Sequence, residues 1–212
     1  GPFLRQFGRG DIDPDEFADA WRGRYIKVMT GFSTGGRDFV VLDILHREML
    51  EDALQEYGTD PAKLDQDLLA DWNRAWHRLD PWPDSPEGLA RLKTGFPIVT
   101  LSNGNVALMI AMAKNGNLPW DAILGAEYSR SYKPDPKTYL GTVAALGLRP
   151  DEVCLVAAHH GDLAAARACG MQGAYIARPM EYGGKPAPYA HMIQDWEFST
   201  DSLTGLASLV GC

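Results

Sequence analysis

Pro97-Ile98-Val99-Thr100-Leu101-Ser102-Asn103-Gly104-Asn105 opens as an apolar run and ends in small polar residues, and Val106 to Lys114 then continues with helical texture. A short buried run that meets a loop before a helix is the signature of a strand in a parallel α/β sheet. The pattern returns downstream. Strands are predicted over Pro97 to Leu101, Ile123 to Ala126, Val153 to Ala158 and Gly173 to Ala177, and helices near Ser85 to Lys93, Val106 to Lys114, Pro136 to Leu146 and Leu163 to Cys169. In such sheets ligands bind at the carboxyl edge of the strands.

Upstream of Pro81-Trp82-Pro83 the texture is helical. Asp13-Pro14-Asp15-Glu16 is a helix start, followed at helical spacing by Phe17, Trp21, Tyr25 and Val28, and Gly31, Gly35 and Gly36 close that segment. Leu42, Leu45, Met49, Ala53 and Leu54 mark a second helix within Phe39 to Tyr57, with Gly58 where a left-handed cap sits. Leu64, Leu68, Trp72 and Trp76 mark a third. The expected division is a helical domain over 1–84 and an α/β core over 85–212.

The 212 residues are 45% hydrophobic and 23% charged, the balance of a folded globular protein long enough to bury a core. A net charge of −8 argues against nucleic acid or an anionic membrane as partner, so an anionic ligand needs a locally basic pocket. The apolar run Val106 to Ala113 is far short of the roughly 20 residues that span a bilayer. Cys154, Cys169 and Cys212 have no metal-like or CxxC spacing, which fits reduced thiols in a cytoplasm.

Three predicted strand-end loops carry chemistry-bearing residues. Ser102 and Asn103 can offer hydroxyl, amide and backbone N–H groups to an anion near a helix N-terminus, or can simply cap that helix. In Tyr132-Lys133-Pro134-Asp135-Pro136, two prolines hold a lysine at a rigid turn, suited to meeting a fixed carboxylate or pointing into solvent. Ala157-Ala158-His159-His160-Gly161-Asp162 ends a strand in two histidines and an aspartate, which is a ligand or a helix cap.

Taken in order, Leu101-Ser102-Asn103-Gly104, Tyr132-Lys133-Pro134-Asp135 and Asp162-Leu163-Ala164-Ala165-Ala166-Arg167 resemble the haloacid dehalogenase superfamily, and with Trp21-Arg22 and the helical block they resemble its type II 2-haloacid dehalogenases. The resemblance implies a Rossmannoid parallel-sheet core under a helical cap domain. It implies cytoplasmic hydrolysis of short 2-haloacids to 2-hydroxyacids through an aspartyl ester, with no metal or cofactor, in a homodimer. By the same resemblance, Lys133 holds the nucleophile ionised and Asp162 fixes Lys133 and the hydrolytic water, while Ser102 and Asn103 hold the substrate carboxylate. Arg22 attracts the anionic substrate and steadies the leaving halide. Phe39 and Tyr139 match aromatic positions that serve the pocket or the core. His159 and His160 depart from the better-known branch and either line a halide pocket or are structural.

The nucleophilic aspartate of this family ends a strand ahead of the cap. No apolar run stands between Gly1 and the first helix, and Asp11-Ile12-Asp13 is no substitute because Pro14-Asp15-Glu16 already starts a helix. The expectation is therefore that the strand precedes residue 1 and that this chain by itself turns nothing over. Two rivals are a magnesium phosphatase, disfavoured by Ala158 where a metal-binding aspartate is needed, and a binding protein that kept only the fold.

Overall fold

The computed structural model describes residues 2–33, 37–182, 186–187, 190–191 and 193–212. The chain divides into two units, Gly1–Arg78 and Leu79–Cys212.

The first unit is helical: α1 Pro2–Gln6, α2 Pro14–Ser33, α3 Leu42–Glu56 and α4 Gln66–Asn73, with single 3-10 turns at Pro61–Lys63 and Arg74–Arg78. Asp13 Oδ1 caps α2 by accepting from the N–H groups of Asp15 and Glu16 at 2.9 and 3.0 Å. The apolar stripe of α2 is then buried through Phe17 and Trp21, and the Phe17 ring stacks on Trp72 at 5.3 Å. Gly31 lies inside α2 instead of ending it, while Gly35 and Gly36 fall outside the described residues. Gly58, at φ 73°, takes the left-handed conformation after α3 that its place predicts. The third helix is shorter than the pattern over Leu64 to Trp76, because Asp65 caps it at Asp67 and Leu68 and the chain tightens to a 3-10 turn after Asn73.

The second unit alternates as α5 Ser85–Leu92, β1 Val99–Ser102, α6 Val106–Asn115, β2 Ala122–Gly125, α7 Ala126–Ser129, α8 Pro136–Leu146, β3 Cys154–Ala157, α9 His160–Ala168, β4 Gln172–Ile176, β5 Phe198–Thr200 and α10 Leu203–Leu209. The boundary falls before the expected 84/85 division. Asp84 is tied into this unit by Arg178 at 2.8 Å and by the Leu203 N–H at 2.7 Å, and the Arg178 guanidinium sits 4.8 Å over the Trp82 ring. Ala126 opens α7 instead of closing β2, and α9 begins at His160 instead of Leu163. No helix among the described residues is long and apolar enough to cross a membrane.

Among the described residues all strand pairing is parallel, and the ladders fall into two sets. β1 pairs with β2 from Val99↔Ala122 to Ser102↔Gly125, while β3, β4 and β5 form a separate three-stranded sheet in that order. Among the described residues no ladder joins β1 to β3. Both strands line one cavity of about 580 Å³, whose walls are largely apolar and include Leu89, Ile98, Leu155, Met171 and Leu206. Lys133 and Ser102 also line it.

The end of β1 is shaped by Gly125. Its φ of 131° is a conformation that L side chains rarely adopt, and a Cβ there would lie 2.2 Å from the Ser102 carbonyl oxygen. Gly125→Ala is expected to lower stability by about 3 kcal/mol through combined strain and overlap, read as a lower urea midpoint. An unchanged midpoint would contradict the close approach.

Candidate active site at the carboxyl ends of the strands

Three loops of the second unit converge on one cluster. Asp162 lies within the first turn of α9, because the N–H groups of both Asp162 and Leu163 return to the His159 carbonyl at 3.1 and 3.2 Å. Its carboxylate does not cap the helix. Oδ2 meets Lys133 Nζ at 2.5 Å, and Oδ1 accepts from the Tyr139 hydroxyl at 2.6 Å. The Lys133 and Asp162 side chains are only 19% and 16% exposed, so this charge pair is partly desolvated and poorly screened.

Each partner is held by local sequence. Lys133 precedes Pro134 through a cis peptide, and Asp135 caps α8 by accepting from the Lys137 N–H at 2.8 Å, with Pro136 at the first helical position. The backbone N–H of Lys133 donates to Asn103 Oδ1 at 2.8 Å, tying the loop after β1 to the lysine turn. Tyr139 follows on the buried face of α8, where burial, and next its bond to Asp162, push the phenol well above its ordinary range. It is a fixed donor that stays protonated. Lys133 has three N–H donors, of which Asp162 takes one.

The loop after β1 differs from expectation in one respect. The Gly104 N–H is accepted by Ser102 Oγ at 2.9 Å, and the Val106 N–H at the start of α6 is accepted by Glu127 Oε2 at 2.6 Å. Those backbone donors are thus satisfied internally, and what Ser102 offers an anion is its hydroxyl proton. Nothing in the sequence around Glu127 signals this cap, since it reaches back from α7.

The two histidines part company. His160 is buried, and its ring stacks on Tyr175 at 4.5 Å and on Trp196 at 6.0 Å. Its Nδ1 accepts from Trp196 Nε1 at 3.0 Å and its Nε2 donates to the His191 carbonyl at 2.9 Å. Both ring nitrogens are used in the core, the structural alternative of the two that the sequence left open for this residue. The exposed His159 bonds Glu181 Oε1 at 2.8 Å. Arg22 and Phe39 lie in the first unit. Arg22 is exposed on α2 beside the buried Trp21, whose indole donates to the His46 carbonyl at 3.0 Å, and Phe39 is half-buried ahead of α3.

A family model of haloacid dehalogenase-like hydrolases matches residues 9–170, and the chain belongs to that family. Within it, the chain is 32% identical over 180 residues to (S)-2-haloacid dehalogenase 1 of Pseudomonas sp. strain CBS-3, covering 81% of this chain and 77% of the relative. It is 35% identical over 152 residues to (S)-2-haloacid dehalogenase 4A of Burkholderia cepacia, covering 69% and 64% of the two chains. The fold superposes on the crystal structure of a defluorinating L-2-haloacid dehalogenase with a TM-score of 0.93 and 44% identity, covering 100% of this chain and 87% of that one. It also matches the L-2-haloacid dehalogenase of Xanthobacter autotrophicus with chloropropionic acid covalently bound, at a TM-score of 0.76 and 26% identity, over 92% of this chain and 86% of that one.

Proposed function

We propose that this chain carries the greater part of a 2-haloacid dehalogenase, acting on short (S)-2-haloacids and releasing (R)-2-hydroxyacids. The observation that carries the reading is the Lys133–Asp162–Tyr139 set at the end of an apolar slot between two half-sheets. An aspartate at the carboxyl end of a strand seated in that slot would meet Lys133, whose ammonium keeps it ionised and aimed.

The chemistry is a double displacement. A carboxylate oxygen attacks C2 from behind the carbon–halogen bond, the halide leaves with the bonding pair, and an aspartyl ester results. Water then adds to the ester carbonyl carbon, the C2 oxygen departs with a proton from that water, and the carboxylate is regenerated. Asp162 is unsuited to the attack, because Lys133 and Tyr139 occupy both its oxygens. Its part is to hold Lys133 and, with Tyr139, to set the polarity where water attacks. The Ser102 hydroxyl and the loop at Asn103 receive the substrate carboxylate. No metal takes part, because Lys133 supplies the positive charge.

The test uses the chain fused at its N-terminus to a strand ending in aspartate. A single turnover of (S)-2-chloropropionate in H₂¹⁸O should give (R)-lactate whose new hydroxyl carries ¹⁶O from the carboxylate. Lactate of retained configuration, or with ¹⁸O in that hydroxyl, would overturn the reading.

A further inference from the structure

We propose that Glu127 is a positioning residue for the loop that receives the substrate carboxylate. From α7 it holds the first turn of α6, and so fixes where the Ser102 hydroxyl and the Asn103 loop stand relative to Lys133. The tie itself stands on geometry within the second unit, and its effect on a 2-haloacid rests on the proposed function.

α6 does not cap itself. Asn105, at the cap position, makes no side-chain cap hydrogen bond, and the first turn of α6 contains no acidic residue. The leading N–H groups of a helix need acceptors from elsewhere, and a carboxylate also suits the positive end of the helix dipole. Glu127 supplies both from 21 positions downstream, its Oε2 accepting from the Val106 N–H at 2.6 Å. A carboxylate acceptor makes a stronger bond than a neutral one, so this contact sets where the loop over 102–105 ends.

Glu127 can hold the loop because α7 is anchored elsewhere. Ala126 and Ser129 of this single turn are buried, and Ser129 Oγ donates to the Gly125 carbonyl at 2.9 Å. Thr138 Oγ1, on α8, donates to the Ser131 carbonyl at 2.7 Å. A Cβ at Gly141 would lie 3.3 Å from that of Ser129, so α7 and α8 pack at close range. α8 also carries Tyr139, and Lys133 stands in the turn just before it. One platform thus holds both partners of Asp162 and the carboxylate that caps α6.

Two ties from that platform fix the loop. The bond from the Lys133 N–H to Asn103 Oδ1, at 2.8 Å, sets its middle, and Glu127 sets its end. Within it, Ser102 Oγ accepts from the Gly104 N–H at 2.9 Å, so the direction of the Ser102 proton follows the lie of the loop. Without Glu127 the Val106 N–H is left unpaired and the start of α6 frays, whereas Lys133, Asp162 and Tyr139 keep their own bonds. The loss therefore falls on binding of the substrate carboxylate, which is held alike before and during reaction, and not on the chemical step.

The experiment compares the chain fused at its N-terminus to a strand ending in aspartate with its Glu127→Ala and Glu127→Gln variants. Glutamine keeps an acceptor for the Val106 N–H and alanine removes it. Glu127→Ala should raise KM for (S)-2-chloropropionate by about tenfold, leave kcat within about twofold, and speed amide exchange at Val106 by about tenfold. Glu127→Gln should bring KM and exchange back to within about threefold of the parent. A folded Glu127→Ala enzyme with the parent's KM overturns the proposal, even where its urea midpoint falls, since Glu127 then serves stability alone. A glutamine variant no better than the alanine one overturns it too, and so does a loss confined to kcat. Should the parent release no halide, the dehalogenase reading falls and exchange alone decides the tie. Faster exchange at Val106 in the alanine variant, restored by glutamine, then keeps Glu127 as the holder of the loop, and equal exchange in all three overturns it.

Discussion

Lys133→Ala, in the chain fused to a strand ending in aspartate, is expected to lower kcat for halide release by about 10³-fold, the scale on which preorganised electrostatic groups contribute to catalysis. The ammonium stands between two carboxylates in the proposed mechanism, Asp162 at 2.5 Å and the nucleophile brought by the strand. Removing it leaves two like charges in a partly desolvated site, so one takes a proton, and a protonated nucleophile does not attack C2. Leaving Asp162 without its partner also costs stability, on the order of 3 kcal/mol. Loss of activity by unfolding is separated from loss of chemistry with the Lys133→Ala/Asp162→Asn double variant, which removes both charges and keeps the Tyr139 contact. The double variant should recover most of the stability and none of the rate. A folded Lys133→Ala enzyme with a normal kcat would take Lys133 out of the mechanism.

Acid is expected to unfold the helical unit by way of His46. Its imidazole is buried on α3, stacked on Trp76 at 4.8 Å, and burial above all lowers its pKa from 6.5 to about 4, with nearby His77 adding to the fall and Asp43 opposing it. Above pH 6.5 the ring is neutral in both folded and unfolded chains and pH has no effect through it. As pH falls from 6.5 toward 4, the unfolded chain takes up a proton that the folded one refuses, so stability falls with pH across that window, by about 3 kcal/mol in total. His46→Phe keeps a ring against Trp76 and removes the proton. Urea unfolding followed by the fluorescence of Trp21, Trp72 and Trp76 should show the acid-dependent loss in the parent and its absence in the variant. The same slope in both would assign the acid sensitivity elsewhere.

Much of this molecule was legible because its signals are local. α8 runs from Pro136 to Leu146 as the pattern predicts, since Asp135 and Pro136 start it and Gly147, at φ 68°, ends it within a few residues. The order of Ser-Asn, Lys-Pro-Asp and Asp loops was enough for the family. What escaped depends on partners far along the chain. Phe198–Thr200 is too short to announce a strand, and it is held beside β4 with help from Glu197, whose carboxylate accepts from the Gly173 N–H at 2.6 Å. α10 starts where Asp84 receives the Leu203 N–H, a contact across 119 positions. His159 and His160 are neighbours with one sequence context, and only the packing of Trp196 and Tyr175 shows which of them is buried.

The account turns on a carboxylate delivered between the half-sheets without any metal. Halide release from (S)-2-chloropropionate should be measured in EDTA for the chain fused at its N-terminus to a strand ending in aspartate, beside the same fusion with that aspartate changed to asparagine. Release by the aspartate form alone, undiminished by EDTA, is the predicted result. Equal release by both forms, or by neither until magnesium is added, would contradict it.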